Sequence, residues 1–205
     1  HLSDVVRIKG HLQVEALKQA IDLLVNRHES LRTAFRQLAN VTFQVIEDKV
    51  DFQLEETDLS MHDSDIRERK FKNLVNAFIA RPFALESASL MRILLVKMSA
   101  DEYVLGLCMH EIICDGKSAR LLLKELNECY SALSKGETPD FKPLKMQYAG
   151  YAAWQRETES EEALQPQLEY WKKYLANYQD LDLPTDFPRP GKPKGGGGVV
   201  SQSLS

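Results

Sequence analysis

The chain has 205 residues, a formal net charge of -4 at pH 7, and 43% hydrophobic against 27% charged residues. This composition is ordinary for a globular protein with one substantial core, and the acidic balance argues against a nucleic-acid-binding function. No apolar run approaches the roughly 20 residues of a membrane span and no signal peptide opens the chain, so we expect a cytoplasmic protein without membrane contacts.

The three cysteines, Cys108, Cys114 and Cys129, lie within or beside apolar segments. No CxxC pair is present, so the spacing does not favour a zinc or redox site. We therefore expect buried free thiols in a reducing compartment and no metal ion bound by this chain.

Hydrophobic patterning in the first half of the chain predicts strands that alternate with helices. A short strand at 5–8 precedes an amphipathic helix whose apolar face carries Ala16, Leu17, Ala20, Ile21, Leu24 and Val25. Further strands are predicted at 41–46 and 52–54. The charged stretch 58–68 leads to a second helix, whose apolar residues are Phe71, Leu74, Val75 and Phe78.

The second half begins with two apolar runs, 90–96 and 103–109, which the turn at 99–102 joins into a predicted hairpin. The unbroken run 104–109 is typical of a strand buried on both faces. Helices follow with Leu122, Leu126, Tyr130 and Leu133 on one face, and with Tyr148, Tyr151 and Trp154 as an aromatic face that we expect to cover the core. These elements predict an α/β fold, a mixed sheet with helices on one side.

Two polar residues, His110 and Glu111, interrupt the apolar pattern where the buried strand ends. Asp115 or Ser118 then provides a natural cap for the next helix. A titratable pair between a core strand and a helix N-terminus is a common location for chemistry. The order His-Glu-x-x-Cys lacks the second histidine of a zinc protease, which argues against that class.

Residues 109–118, MHEIICDGKS, resemble the active-site motif MHHxxxDGxS of the condensation domains of nonribosomal peptide synthetases. These domains belong to the chloramphenicol-acetyltransferase-like superfamily. The matching residues are His110, Asp115, Gly116 and Ser118. Glu111 stands where the family has the histidine that is usually given the catalytic role. Residues 27–35, RHESLRTAF, reproduce a second motif of the family, RHExLRTxF, without departure.

Three further segments resemble the same family. RPFAL at 81–85 is similar to RPFDL, with Ala84 in place of the aspartate, and YAGYAAW at 148–154 is similar to YxDYAxW, with Gly150 in place of the aspartate. The proline-rich segment 181–190 looks like the one that bridges the two lobes in relatives. Because a full condensation domain is about twice this long, the resemblance implies an N-terminal lobe at 1–190, then a linker and the start of the C-terminal lobe at 191–205.

The resemblance implies a fold and a set of partners. The implied fold is α/β, an α+β sandwich of the chloramphenicol-acetyltransferase-like type in which helices cover a mixed sheet. It implies no cofactor bound by the lobe itself, because substrates arrive on the phosphopantetheine of upstream and downstream peptidyl carrier proteins. The other implied partners are the C-terminal lobe of the same domain and the adjacent synthetase domains.

The resemblance also implies the site residues. Glu111 takes the catalytic position, His110 buttresses the loop, and Asp115 and Gly116 complete the motif. Arg32 is expected to form a structural ion pair with Asp115, because a guanidinium meets a carboxylate with two hydrogen bonds and would hold the loop in one geometry.

Glu111 leaves the activity open. Condensation joins a carrier-bound acyl or peptidyl thioester to the neutral amine of an aminoacyl thioester, and an imidazole suits that step near neutral pH. A carboxylate is an anion there and favours the ammonium form, which is not a nucleophile, so we expect activity orders of magnitude below that of a histidine enzyme. A carboxyl group held away from water could still act as a base, and a carboxylate could also help by positioning the amine.

Three functions therefore remain open on sequence. The chain belongs to a working condensation enzyme, to a silent domain that serves as a binding platform for carrier or tailoring proteins, or to a coenzyme A-dependent acyltransferase of the same superfamily. The segments RHESLRTAF, YAGYAAW and LPTDFPRP favour the peptide-synthetase branch over the acyltransferase. His110 argues against a cyclisation domain, and an epimerisation domain remains possible.

Overall fold

The structure is a computed structural model that describes residues 1–50, 52–179, 181, 184–188 and 191–192. The chain divides into two compact units, His1–Glu157 and Thr158–Ser205. The strands are β1 (Leu2–Lys9), β2 (Thr33–Leu38), β3 (Val41–Ile46), β4 (Leu54–Asp58), β5 (Met91–Ser99) and β6 (Glu102–Met109). The α-helices are α1 (Val14–Arg27), α2 (Ser64–Ala80), α3 (Gly116–Leu133), α4 (Tyr148–Thr158) and α5 (Glu161–Tyr174), and a 3-10 turn covers Glu29–Arg32.

A four-stranded mixed sheet organises the first unit. Its strand order is β1-β6-β5-β4, with β6 antiparallel to both neighbours and β4 parallel to β5. The predicted hairpin of two apolar runs is confirmed as β5 and β6, in which Leu95 lies opposite Leu105. β2 and β3 form a separate antiparallel pair.

Helices cover both faces of the mixed sheet, so the prediction of helices on one side is wrong. Alternate residues of β6 point to opposite faces. Leu105, Leu107 and Met109 join the core cluster that contains residues of α1 and α3. Val104 and Cys108 join a second cluster, which contains Phe78 of α2. The unbroken apolar run of β6 exists because both of its faces are packed, as is typical of a central strand.

The aromatic residues of α4 do not cover the core as expected. Tyr148, Tyr151 and Trp154 are 56%, 40% and 49% exposed, and no residue of α4 is buried. Neighbouring rings in this row lie 6.0 and 5.7 Å apart, so the aromatic side chains pack on one another along the helix surface. The helical spacing is confirmed, but the predicted direction of the aromatic face is wrong.

Several boundaries differ from those predicted. β1 is longer than the predicted strand, and the segment predicted as a strand from residue 52 is regular only at Leu54–Asp58. The charged stretch before the second helix already contains the first turns of α2. Residues 193–205, where we expected most of the linker and the start of another lobe, lie outside the described residues, and the domain boundary at 190 stays a prediction.

The cysteines are free in the structure. Cys108 and Cys129 are fully buried, as predicted, whereas Cys114 is about half-buried. Within the described ranges, no helix combines the length and apolar character needed to cross a membrane.

Arg92 of β5 holds the end of α2 against the sheet. Its guanidinium donates hydrogen bonds to the backbone carbonyls of Phe78, Arg81 and Pro82, at 3.3, 2.6 and 3.1 Å. It also stacks on the ring of Phe83, 3.8 Å from the ring centroid. The charge of Arg92 is therefore met by the carbonyl dipoles at and just beyond a helix C-terminus, where a cation is favourable.

Replacement of this arginine tests the contact. We expect Arg92→Leu to lower the free energy of unfolding by about 2 to 4 kcal/mol, because three carbonyl groups lose a charged donor. Arg36→Leu is the matched control, since Arg36 also lies on a strand but is about half-exposed and pairs with Glu47 at the surface, and it should cost less than about 1 kcal/mol. Urea denaturation of both variants measures the difference, and equal losses would contradict this role of Arg92.

Candidate active site

The candidate site begins where β6 stops. Met109 is the last residue of β6 and pairs with Leu2 on one side and Met91 on the other. The amide of His110 donates to the carbonyl of Leu90 at 3.0 Å, after which the chain leaves the sheet. A turn closes with the amide of Ile113 donating to the carbonyl of His110 at 3.1 Å, so the polar residues emerge from a rigid base.

Asp115 fixes the other end of this loop by capping α3. Its Oδ1 accepts hydrogen bonds from the amides of Lys117 and Ser118, at 3.1 and 2.8 Å, and from the Ser118 hydroxyl at 2.7 Å. The bonds from Ser118 stabilise the carboxylate and lower the pKa of Asp115. Asp115 is thus the cap, and Ser118 supports it. Gly116 is the first residue of α3, and a Cβ there would meet no atom within 4 Å, so packing in the described residues does not require glycine.

His110 is bonded to its own loop. Its Nδ1 lies 3.1 Å from the amide nitrogen of Ile112 and accepts a hydrogen bond from that amide. The ring also meets the edge of Phe83, with 6.1 Å between ring centroids. These contacts support the interpretation of His110 as the residue that holds the loop.

Glu111, by contrast, reaches into open space. Its side chain is 66% exposed, and Oε1 lies 3.2 Å from the amino group of His1. Glu111 also lines an open depression on the surface of the first unit. The exposure therefore does not support a role for Glu111 as a general base, because that role depends on a carboxyl group held away from water.

The depression has a volume of about 250 Å³ and three walls. The loop from Glu111 to Asp115 forms one wall, the β2–β3 pair forms another, and the start of α4 forms the third. The lining side chains outside the loop are Ser30, Thr33, Phe35, Gln44, Ser118 and Tyr148. A second depression of about 160 Å³ extends to His28 and shares five lining residues with the first: Ser30, Ile113, Cys114, Ser118 and Tyr148. Together they offer space for a substrate beside Glu111.

The predicted ion pair between Arg32 and Asp115 is not formed. Arg32 closes the 3-10 turn before β2, and the pairing of Thr33 with Ile46 brings the neighbouring Glu47 to it. Arg32 donates from Nη1 to the carbonyl of Glu47 at 2.5 Å. The Asp115 carboxylate is instead engaged by the N-terminus of α3. The helix cap thus binds Asp115 locally, and the loop is held without Arg32, whose buried Nε has no hydrogen-bond partner among the described residues.

Cys114 lies in the wall of both depressions but is a poor nucleophile. Burial raises the pKa of its thiol to about 11, and the neighbouring carboxylates of Asp115 and Glu111 act in the same direction. The Sγ atom donates to the carbonyl of His110 at 3.5 Å. Because the thiolate is the reactive form, the structure favours a packing role for Cys114 rather than covalent catalysis.

Sequence reasoning missed the residues that face the loop from other elements. Phe35 and Gln44 lie opposite each other in the β2–β3 register, on the face that lines the depression. Tyr148 lines the depression instead of packing in the core. The alternation of Thr33 with Phe35 could have indicated that they share a face, but not which surface that face meets.

In the described part of the chain, no group of three or more His, Cys, Asp or Glu residues could hold a metal ion.

The chain is similar to known proteins over nearly its whole length. The family model described as the condensation domain matches residues 1–204. Bacitracin synthase 2 of Bacillus licheniformis is 38% identical over 90% of this chain, which spans 7% of that protein. Enniatin synthetase of Fusarium oxysporum is 36% identical over 97% of this chain, which spans 6% of that protein. The chain belongs to the condensation-domain family of nonribosomal peptide synthetases.

Solved structures agree with this membership. The complex of the X-domain and OxyB from teicoplanin biosynthesis matches with a TM-score of 0.78 and 30% identity, over 92% of this chain and 41% of the solved chain. The starter condensation domain of rhizomide synthetase matches with a TM-score of 0.77 at 18% identity, over 87% and 42%, which shows the fold alone. The chain has the chloramphenicol-acetyltransferase-like fold and spans about two fifths of these structures.

The cap at Asp115 makes stability depend on pH. Because the folded-state pKa is lowered from 3.8, the carboxylate contributes stability above that value, and the contribution is lost as the pH falls through the folded-state pKa. We expect Asp115→Asn to reduce stability at neutral pH and to converge with the wild-type protein in acid. Urea denaturation from about pH 7 to about pH 2.5 measures this. Asp140→Asn, in an exposed loop, is the control, and a constant offset for Asp115→Asn would contradict the prediction.

The thiol of Cys114 gives a chemical test of the same loop. Relative to its ordinary value of 9.0, a pKa of about 11 makes the thiolate about a hundredfold rarer at pH 8. We expect iodoacetamide to modify native Cys114 at least that much more slowly than the same cysteine in the urea-unfolded chain, as measured by peptide mass spectrometry. A cysteine placed at the exposed position Glu137 should react at similar rates in both states, and similar rates for Cys114 would overturn the assignment.

Proposed function

We propose that this chain is the N-terminal lobe of a condensation domain that forms an amide bond between two carrier-bound substrates. The amine of an aminoacyl thioester attacks the carbonyl carbon of an acyl or peptidyl thioester. The C–N bond forms, the C–S bond breaks, and the proton lost by the amine goes to the departing sulfur, so that the phosphopantetheine thiol is released. The supporting observation is that Glu111, at the family's catalytic position, lines the depression on a loop held at both ends.

The loop would contribute mainly position. His110 and Asp115 use backbone amides to fix the two ends of a six-residue segment, so Glu111 leaves the sheet at a defined point. Preorganised geometry lowers the barrier to a bimolecular step, because orientation is established before reaction. An exposed carboxylate can hold the amine by a hydrogen bond, but it also stabilises the unreactive ammonium. The expected enzyme is therefore slow relative to one with histidine at this position.

A second candidate is a domain that has lost condensation and serves as a binding platform. The residue that favours it is again Glu111, whose charge opposes formation of the neutral amine. A relative with 30% identity and the same fold is the X-domain that was solved in complex with OxyB. By the same reasoning, this chain would bind a partner protein of the synthetase through its folded surface. Coenzyme A-dependent transfer is disfavoured because the similar curated proteins are peptide synthetases.

Replacement of Glu111 by histidine separates the candidates. In a complete domain with loaded donor and acceptor carrier proteins, we expect Glu111→His to accelerate single-turnover peptide formation by about 100-fold or more, the usual size of a general acid–base contribution. Glu128→His is the matched control, because Glu128 is a half-exposed carboxylate on α3 that does not line the depression, and it should leave the rate unchanged.

Each outcome has a distinct meaning. A native rate within about tenfold of the histidine variant would show that Glu111 is a competent base or positioning group. Activity in Glu111→His alone would identify an intact scaffold with a silent site. Absence of product in both, with carrier binding retained, would reject condensation and support the platform.

A further inference from the structure

A second polar cluster lies beside the depressions and is centred on Glu125 of α3. The inward face of this helix is otherwise apolar, with Leu122, Leu126 and Cys129 in the core. Glu125 is only 7% exposed. A buried carboxylate is tolerated only where charged or hydrogen-bonding partners meet it, so its partners indicate what it holds.

The partners of Glu125 are the last residue of α1 and the residue that follows it. Nε2 of His28 lies 2.5 Å from Oε2 of Glu125. Nε of Arg27 lies 3.4 Å from the same oxygen, as an ion pair without a hydrogen bond. Arg27 and His28 are the first two residues of the RHESLRTAF segment, whose Ser30, Thr33 and Phe35 line the first depression. The carboxylate thus fixes the end of α1 against α3.

Arg27 carries this connection to the segment that leads to α4. Its Nη1 donates to the carbonyl of Lys142 at 3.0 Å, and its guanidinium lies 4.8 Å from the ring centroid of Phe141. The Gln147 side chain donates to the carbonyl of Arg27 at 2.8 Å and accepts from the amide of Glu29 at 3.3 Å. The segment is therefore held near both of its ends, by the side chain and carbonyl of Arg27, which pairs with Glu125, and by the amide of Glu29 two residues further on.

The segment ends at the wall of the candidate site. Gln147 is followed directly by Tyr148, the first residue of α4, which lines both depressions. Ser30 also lines both depressions and lies in the 3-10 turn that Gln147 contacts through Glu29. The part of the wall formed by Tyr148 and Ser30 is thus connected to Glu125, which does not itself line either depression.

We propose that Glu125 is a positioning residue of the candidate site. Its buried carboxylate fixes Arg27 and His28 at the end of α1, the backbone of Arg27 and of Glu29 holds the Gln147 side chain, and Gln147 places Tyr148 and Ser30 in the wall of the depressions. The width of the depression, and so the fit of the carrier-bound substrate, depends on a charge in the core. The connection from Glu125 to Tyr148 stands on the structure, and only its effect on the substrate rests on the proposed function.

Hydrogen exchange in the complete domain tests the connection without any need for activity. In Glu125→Leu, we expect amide exchange of residues 141–151 to rise at least about tenfold, while the β5–β6 hairpin keeps its protection, because the segment loses its anchor but the sheet does not. Glu128→Leu, on the exposed side of the same helix, should change neither region. A uniform rise over the whole unit, or native exchange at 141–151, would overturn the proposal.

Two further variants keep the test decisive if Glu125→Leu does not fold. Glu125→Gln retains an acceptor for His28 but loses the charge that faces Arg27, and should give an intermediate rise. Gln147→Leu leaves the pair of Glu125 with His28 intact and removes only the link to Tyr148, so it should release 148–151 while α1 and α3 remain protected. Native exchange in both variants would overturn the role of Glu125.

Kinetics then separate the two proposals. In an active background, which Glu111→His provides if the native domain is slow, Gln147→Leu should raise KM for the acceptor carrier by about tenfold and change kcat less, because it affects fit rather than chemistry. An unchanged KM together with released 148–151 would reject the effect on substrate. If no variant forms peptide, the proposed reaction fails, whereas the exchange data still decide whether Glu125 positions Tyr148.

Discussion

The geometry of the site depends on one strand, β6, which is hydrogen-bonded on both edges and packed on both faces. A strand so constrained cannot shift by one residue without reversal of every side chain between the two core layers. Its last residue, Met109, is therefore fixed in space. The polar residues that follow Met109 leave the sheet at that point. They therefore lie at the surface beside the β2–β3 pair, where Glu111 and Asp115 line the depression.

Local partners dominate the electrostatics around this exit. Asp115 accepts hydrogen bonds from residues within four positions of it along the chain. Arg32 donates one hydrogen bond to the carbonyl of Glu47 beside the strand pair that it precedes, while its Nε has no partner in the described part of the chain. The cluster around Glu125, by contrast, connects elements that are far apart in sequence. The loop and the opposite wall are consequently stabilised by separate sets of interactions, so a change in one set can alter the width of the site without loss of the other.

Much of the sheet could be predicted because its signals are local. The β5–β6 hairpin, the helices α1 and α3, and the cap at Asp115 follow from apolar periodicity and from a short polar residue before a helix. The partner of Arg32 could not be predicted. A guanidinium can donate to any nearby oxygen, and the pairing of β2 with β3 places the carbonyl of Glu47 beside Arg32. The exposure of Tyr148 likewise depends on residues far away in the sequence, because Gln147 beside it is held by Arg27 and Glu29. Glu125 was missed because a charged residue in a helix ordinarily faces water.

The hydrogen bonds of Arg92 determine which positions at the end of α2 can change their side chains without loss of the contact. Its hydrogen-bond acceptors at the end of α2 are backbone carbonyls, which every amino acid possesses. The anchoring of α2 is therefore insensitive to the side chains of the segment that it grips, apart from the ring of Phe83 beneath the guanidinium. A segment held by its main chain can vary in its side chains, so Ala84, where the motif that this segment resembles has an aspartate, leaves the hydrogen bonds of Arg92 unaffected.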